Sequence, residues 1–354
     1  MFGFTIFHRS LLQRFVRSLA YPSPTTVAAR ATDRPHQYYN LASTQFSCSA
    51  VNNDLNLVGS RIDGKAIAMT VREEIKQKVA AHQARIGRVP GLAVLLVGSR
   101  RDSQTYVNMK KKACADAGIA STGYDFEDTV TEEELLETIH KLNQDSTING
   151  ILVQLPLPNH VDQSKILEAV DPNKDVDGLH PVNIANLQLY SGQAMEAPFS
   201  IPCTPLGCLA LLDRCGVELA GKHCVVIGRS VLVGLPMARL LLGRDATVTI
   251  CHSKTLDIEI IVKSADVVVA AVGRAALVKG DWIKPGAVVI DVGINSIDMK
   301  PKKPGAKTYK LVGDVEYERA SEVASLITPV PGGVGPMTIA MLLNNTLSAF
   351  ERTL

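Results

Sequence analysis

The chain has 354 residues, enough for two domains that each bury a core of their own. Hydrophobic residues make up 46% and charged residues 20%, a globular balance that excludes an intrinsically disordered protein. A formal net charge of +2 gives no basis for a nucleic-acid partner, and no apolar run approaches the roughly 18 residues that span a bilayer.

Residues 1–50 read as an address and not as part of the fold. Arg9, Arg14, Arg17 and Arg30 precede the first acidic residue, Asp33, and Phe4, Phe7, Leu11 and Phe15 fall at helical spacing. Ser and Thr then become frequent from Ser23 to Ser49. The pattern predicts an organellar transit peptide, mitochondrial in preference to plastid because of the early Arg-bearing amphipathic stretch. A disordered tail or a helix lying on a surface is the alternative. The seven cysteines form no C-x-x-C pair and no zinc pattern with His, so buried free thiols and no metal site are expected.

From Gly64 onward helical and strand-like segments alternate. Ile67, Val71, Ile75 and Val79 recur every four residues among Glu and Lys, which predicts an amphipathic helix. Leu92 to Val97 is a buried strand, Ser103 to Ala117 a helix closed by Gly118, and Gly123 to Phe126 a further strand. Thr131 with Glu134 three residues on is a capping-box start for a third helix, followed by a strand from Gly150 to Leu155. Strands separated by helices argue for a parallel sheet covered on both faces. The Pro-rich stretch Ala197 to Pro205 marks a boundary, after which the order restarts. A helix near Leu206 to Cys215 precedes strand His223 to Ile227, a Gly turn and helix Pro236 to Leu242. Strand Thr247 to Cys251, a helix near Asp257, and strands Asp266 to Ala271 and Ala287 to Val292 follow, the cadence of a Rossmann-type domain. Pro336 to Phe350 is a terminal helix with Pro in its first turn.

The turn after Ile227 points to a dinucleotide. Gly228 allows a sharp turn, Gly234 allows close helix–strand packing, and backbone N–H groups at the helix start would face a pyrophosphate. Ser230 occupies the usual second glycine position, so the fingerprint is only partly met and a purely structural turn remains the alternative. An NAD site would carry Asp or Glu after the next strand. Here stand Cys251-His252-Ser253-Lys254-Thr255, hydroxyls and a cation which, with Arg229 nearby, suit the 2′-phosphate of NADP. A solvated loop is the alternative.

The first half carries candidate chemistry. Tyr106 and Lys110 lie four apart on one helix face, whereas Lys111 and Lys112 read as a wet face. A lysine beside an aromatic ring in a cleft loses hydration and becomes usable as a general acid/base. Gln154 ends a buried strand where polar groups usually line a site. Asp177, in Lys174-Asp175-Val176-Asp177-Gly178, is a further candidate, with Asx-turn chemistry as the plainer explanation. Pro329 to Pro336 is a rigid loop, poor in side chains, that lets backbone approach a flat ligand.

Six blocks in this order resemble the bifunctional methylenetetrahydrofolate dehydrogenase/cyclohydrolase family. They are Tyr106 to Lys110, Val153 to Pro158, Lys174 to Gly178, Gly228-Arg229-Ser230 with Val233-Gly234, His252 to Thr255, and Pro329 to Met337. The resemblance spans about Leu57 to the C-terminus, with Leu232 in place of the usual Ile. The segment Asp245 to Thr255 is similar to NADP-preferring members and lacks the altered loop of forms that use NAD with phosphate and magnesium. The resemblance implies an α/β fold with an N-terminal α/β catalytic domain, a Rossmann-type NADP-binding domain and a C-terminal helix packing back on the first. The expected bounds are 57–204 with 336–354 for the folate domain and 205–335 for the cofactor domain. It implies oxidation of 5,10-methylenetetrahydrofolate with NADP+, hydrolysis of the methenyl product to 10-formyltetrahydrofolate, and a homodimer.

By the same resemblance Lys110, Gln154, Tyr106 and Asp177 carry the chemistry, Tyr106 stacking on the folate and Asp177 pairing with the pterin. Val153 and Leu155 join them around the substrate, with Pro329, Pro331, Gly332, Gly333, Gly335 and Met337 closing over it. Gly228, Arg229, Ser230, Gly234, Ser253 and Ile294 are the expected cofactor ligands, Arg229 and Ser253 on the 2′-phosphate and Ile294 at the nicotinamide. With the chain ending at Leu354, a fused formate–tetrahydrofolate ligase domain is not expected. The competing functions are a dehydrogenase of shikimate or amino-acid type, a non-catalytic NADP-binding regulator, and a dehydrogenase without hydrolytic activity. The Lys110–Gln154 pair and the Val-Gln-Leu-Pro-Leu-Pro block argue against all three.

Overall fold

The structure, a computed structural model, describes residues 59–299 and 308–354. The predicted transit peptide and Cys48 lie outside these residues.

The first α/β unit follows from its capping and burial pattern. Helix α1 (Gly64–Ile86) starts where Asp63 Oδ1 accepts from Ala66 N at 3.0 Å and stops at Gly87, whose φ of 67° ends the helix in the left-handed region. Its buried stripe is Ala68, Val71, Ile75 and Val79, with the expected Ile67 only at the margin. Strand β2 (Gly91–Val97) is buried along its whole length, as a central parallel strand must be. Helix α2 (Arg101–Ala117) ends at Gly118, and β3 (Ala120–Phe126) follows. Thr131 Oγ1 accepts from Glu134 N at 3.2 Å and opens α3 (Glu132–Gln144), the predicted cap. With β4 (Gly150–Val153) these strands form a parallel sheet in the order β3-β2-β4.

Helices α4 (Gln163–Ala169), α5 (Pro181–Leu189) and α6 (Cys203–Arg214) lead to the second unit. There β5 (His223–Ile227), α7 (Gly234–Leu242), β6 (Thr247–Cys251), α8 (Ile258–Lys263), β7 (Val267–Ala270) and β8 (Val288–Asp291) alternate as expected. A hairpin, β9 (Asn295–Asp298) with β10 (Tyr309–Val312), helix α9 (Tyr317–Ser321) and strand β11 (Leu326–Ile327) precede the terminal helix α10 (Val334–Glu351). The sheet is six-stranded and parallel, β1-β11-β8-β7-β5-β6. Its outermost strand is β1 (Ser60–Arg61), from the start of the described chain. Ser60 and Arg61 therefore extend the second sheet, although they were expected within the first domain.

Alternation along the strands sorts the apolar side chains into three layers. Leu92, Val94 and Leu96 of β2, with Cys224 and Val226 of β5, share one cluster with Val71 and Ile75 of α1 and Met341, Leu347 and Phe350 of α10. Ala93, Leu95 and Val97 face a cluster under α3, and Val225 and Ile227 face a third under α8. The terminal helix thus packs on the first unit, as the family resemblance implies, and also on α6. The six described cysteines are free and buried, and burial pushes the Cys114 and Cys208 thiols up to about 12. Among the described residues no helix is long and apolar enough to cross a membrane, and no group of three or more His, Cys, Asp or Glu could hold a metal ion.

Candidate active site

The C-terminal ends of both sheets open on one cavity of about 440 Å³. On its first wall Tyr106 and Lys110 project from the same face of α2, Gln154 and Leu155 leave the end of β4, and Asp177 enters from the loop before α5. Lys110 is only 8% exposed, and its Nζ donates to Gln154 Oε1 at 2.9 Å. Gln154 is itself aligned by donating from Nε2 to Leu155 O at 2.8 Å, next to the cis Leu155–Pro156 bond. The amide oxygen thus accepts from the ammonium and leaves its remaining protons for a ligand.

Two aspartates two residues apart have separate duties. Asp175 takes the turn chemistry, accepting from Gly178 N at 3.0 Å, His180 N at 2.9 Å and Asn183 Nδ2 at 2.9 Å. That leaves Asp177 to face the cavity. Burial pushes its carboxyl up, the nearby Lys110 charge pulls it down, and the Asp175 charge adds to the rise. Lys111, by contrast, pairs with the exposed Asp125 at 3.7 Å on the outer face of α2.

The opposite wall comes from Leu232, Val233, Val292 and Ile294, and the floor from Val334, Gly335, Thr338 and Ile339 of α10. Of the expected substrate group, Tyr106, Lys110, Gln154, Leu155, Asp177 and Gly335 line the cavity. Val153 and Met337 do not. Val153 points into the core beneath β4, and Met337, fully buried, lies against Gly207 of α6. Pro329, Pro331, Gly332 and Gly333 also lie outside the lining, and Gly332 and Gly333 are packed on the start of α1. Gly332 O accepts from Lys65 N at 3.1 Å, and Gly64 has no room for a Cβ against Gly333 O. The sequence reading missed Ser103, Leu179, Cys203, Thr204 and Thr338. A signal for two of them exists, since Thr204 and Thr338 sit within two residues of a proline near the start of their helices, and their hydroxyls meet at 3.1 Å.

The cofactor turn has the geometry expected of it. Gly228 has φ of 126° and no room for a Cβ against Ala271 O, and Gly234 has none against Gly228 O. Ser230 Oγ accepts from Val233 N at 3.1 Å and Gly234 N at 3.4 Å, so the hydroxyl organises the turn in place of a glycine. Strand order reverses between β5 and β7, the switch point at which dinucleotides bind. Arg229 and Ser253 are exposed at the adjoining ends of β5 and β6, with Lys254 beside Ser253 and no carboxylate in the 251–255 loop. That loop is held by His252 N donating to Thr255 Oγ1 at 2.9 Å and Lys254 N donating to His252 Nδ1 at 3.2 Å. These residues fit NADP.

Comparison with known proteins agrees over both units. The tetrahydrofolate dehydrogenase/cyclohydrolase catalytic-domain model matches residues 62–177, and the NAD(P)-binding-domain model of that family matches 202–354. Bifunctional protein FolD 2 of Arabidopsis thaliana is 54% identical over 82% of this chain and 95% of its own. The mitochondrial FolD 1 of that plant is 53% identical over 82% of this chain and 81% of its own; the chloroplastic FolD 4 is 50% identical over 88% and 85%. The crystal structure of the Trypanosoma brucei methylenetetrahydrofolate dehydrogenase-cyclohydrolase, complexed with NADP cofactor and inhibitor, superposes with a TM-score of 0.77 at 44% identity, covering 82% of this chain and 97% of its own. The chain belongs to the tetrahydrofolate dehydrogenase/cyclohydrolase family.

Proposed function

We propose that both family reactions, oxidation of 5,10-methylenetetrahydrofolate with NADP+ and hydrolysis of the methenyl product, run in the one cavity. The observation that carries this is the buried Lys110 Nζ, 2.9 Å from Gln154 Oε1, facing a wall built by Val292 and Ile294 of the dinucleotide-binding unit. Gly228, Arg229, Ser230, Gly234 and Ser253 would hold NADP+, which would supply the hydride acceptor for the methylene bridge. The chain's part in that step is orientation, with Tyr106 stacked on the folate and Ile294 setting the depth of the nicotinamide. In hydrolysis Lys110 moves the proton as water adds to the methenyl carbon and the ring opens, while Gln154 holds the ammonium in place. Asp177, its carboxyl raised by burial, pairs with the pterin edge.

Leu155 and Gly335 flank the substrate, and Val153 supports Leu155 and Gln154 from the core beneath β4. The Pro329, Pro331, Gly332 and Gly333 loop leads into the floor helix, and Met337 anchors that helix on Gly207 of α6. Gly228, Ser230 and Gly234 shape the pyrophosphate turn, and Arg229 and Ser253 hold the 2′-phosphate. We take 57–204 with 336–354 as the folate domain and 205–335 as the cofactor domain, with β1 lent to the second sheet. A second copy of the chain is the proposed protein partner. Residues 1–50 are proposed to direct import into the mitochondrion, supported by the Arg-bearing amphipathic pattern and by organellar relatives.

The decisive experiment mixes protein beginning near Leu57 with methylenetetrahydrofolate and either dinucleotide. Reduction of NADP+ in preference to NAD+, followed by decay of methenyl absorbance, is expected. No reduction of either dinucleotide overturns the assignment.

A further inference from the structure

Behind the cofactor wall of the cavity stand two buried carboxyl groups that are not among its lining residues. Asp314 is 0% exposed and Asp291 2%. Asp314 Oδ2 accepts from the N–H groups of Val272 at 2.7 Å and Gly273 at 2.9 Å. Its Oδ1 accepts from Arg274 N at 2.9 Å and Asn295 Nδ2 at 2.8 Å. Asp291 Oδ1 accepts from Gly293 N at 3.0 Å and Asp314 N at 2.9 Å, and Oδ2 from Val315 N at 2.9 Å. The acceptor sites of Asp314 are thus spent on the loop leaving β7 and on Asn295, which opens β9 where the loop leaving β8 ends.

Those loops are the ones that matter for the nicotinamide end. Ala271 carbonyl backs the Gly228 turn, and Val292 and Ile294 line the cavity on either side of Gly293. Gly293 has no room for a Cβ against the Asp314 carboxyl, and Gly313 has none against that of Asp291. A buried carboxyl group left without donors is costly, so it favours the one arrangement of the loops that supplies them. Three successive backbone N–H groups and one side-chain amide are those donors.

We propose that Asp314 is a positioning residue for hydride transfer: by clamping residues 272–274 to Asn295 it sets where Ile294 holds the nicotinamide relative to the folate. The proposal rests on the assignment of NADP-linked oxidation to this cavity. It predicts a split between the two activities, because Lys110 and Gln154 stand on the other wall and take no support from the clamp.

The test uses two variants and both assays. Asp314→Asn turns an amide donor toward one pair of N–H donors; Asn295→Ala removes one of the four bonds at a half-buried position that tolerates it. Asp314→Asn is expected to lower dehydrogenase kcat about 100-fold, as a small misplacement of reacting rings does. Asn295→Ala is expected to lower it about tenfold, with methenyl hydrolysis within about twofold of the unaltered chain in both. NADPH fluorescence titration should show weaker binding in the same order. Should Asp314→Asn not fold, Asn295→Ala decides alone. Unchanged dehydrogenase activity in Asn295→Ala, or equal loss of both activities in it, overturns the proposal. If the unaltered chain oxidises no methylenetetrahydrofolate, the underlying assignment falls and the clamp's role falls with it.

Discussion

Lys110 illustrates how the helix and the strand end divide one task. Helical spacing puts Lys110 on the Tyr106 face, but only the sheet brings the end of β4 within 2.9 Å of its ammonium. Lys110→Met should lower methenyl hydrolysis by about 100- to 10,000-fold, the range for loss of a general acid/base. Persisting methenyl absorbance beside continued NADPH formation is the expected result, and undiminished decay would contradict the role. Arg229→Ala should raise the KM for NADP+ about tenfold or more through loss of a charge-assisted pair, with little change for NAD+. Equal loss for both dinucleotides would show that the guanidinium does not read the 2′-phosphate. The Asp177 candidate was ambiguous in sequence, since Asp175 and Asp177 flank one valine in a turn. Hydrogen bonding separated them, giving the turn to Asp175 and the cavity to Asp177.

Among the elements, the terminal helix α10 does the most to build the site. Its Asn345 is 4% exposed and donates to Val176 O and Ile201 O, both at 2.9 Å. One amide thus fastens the loop ahead of Asp177 to the segment ahead of Cys203. Asn345→Leu leaves the Ile201 carbonyl without a donor and Val176 O with the Cys203 thiol alone, at 3.4 Å, and should destabilise the fold by about 1–3 kcal/mol, read as a lower urea midpoint. A midpoint within experimental error of the parent would refute the fastening. The long periodic helices, the apolar strands and the Gly turn were all legible, because period and turn chemistry are local. The short elements were not, among them α4, α9 and β11, which run to seven, five and two residues. Strand β1 is two residues long, α5 begins at a Pro in a mixed segment, and the β9–β10 hairpin is mostly exposed, so none shows a strong periodic pattern.

At the scale of the molecule, the start of the described chain and its end cross over. Ser60 and Arg61 complete the second sheet, and α10 packs between the helices of the first unit and α6. A chain beginning at Gly59 should keep both activities at full-length levels, since it retains β1. One beginning at Lys65 removes Ile62, fully buried, and exposes the edge of β11, so it should unfold at lower temperature. Equal melting of the two would show that β1 is dispensable.

The residue types of the cofactor turn, the missing carboxylate after β6 and the Tyr106–Lys110 spacing were readable as chemistry from the chain alone, because each depends on neighbours within a few positions. Partnerships between distant segments were not. Lys110 meets a glutamine 44 residues away, Asp314 gathers N–H groups 40–42 residues away, and Asn345 reaches carbonyls 144 and 169 residues away. Met337 and Val153, which belong to motifs of the site, proved to be core residues, because which face of a segment meets the cavity is set by packing against the rest of the molecule.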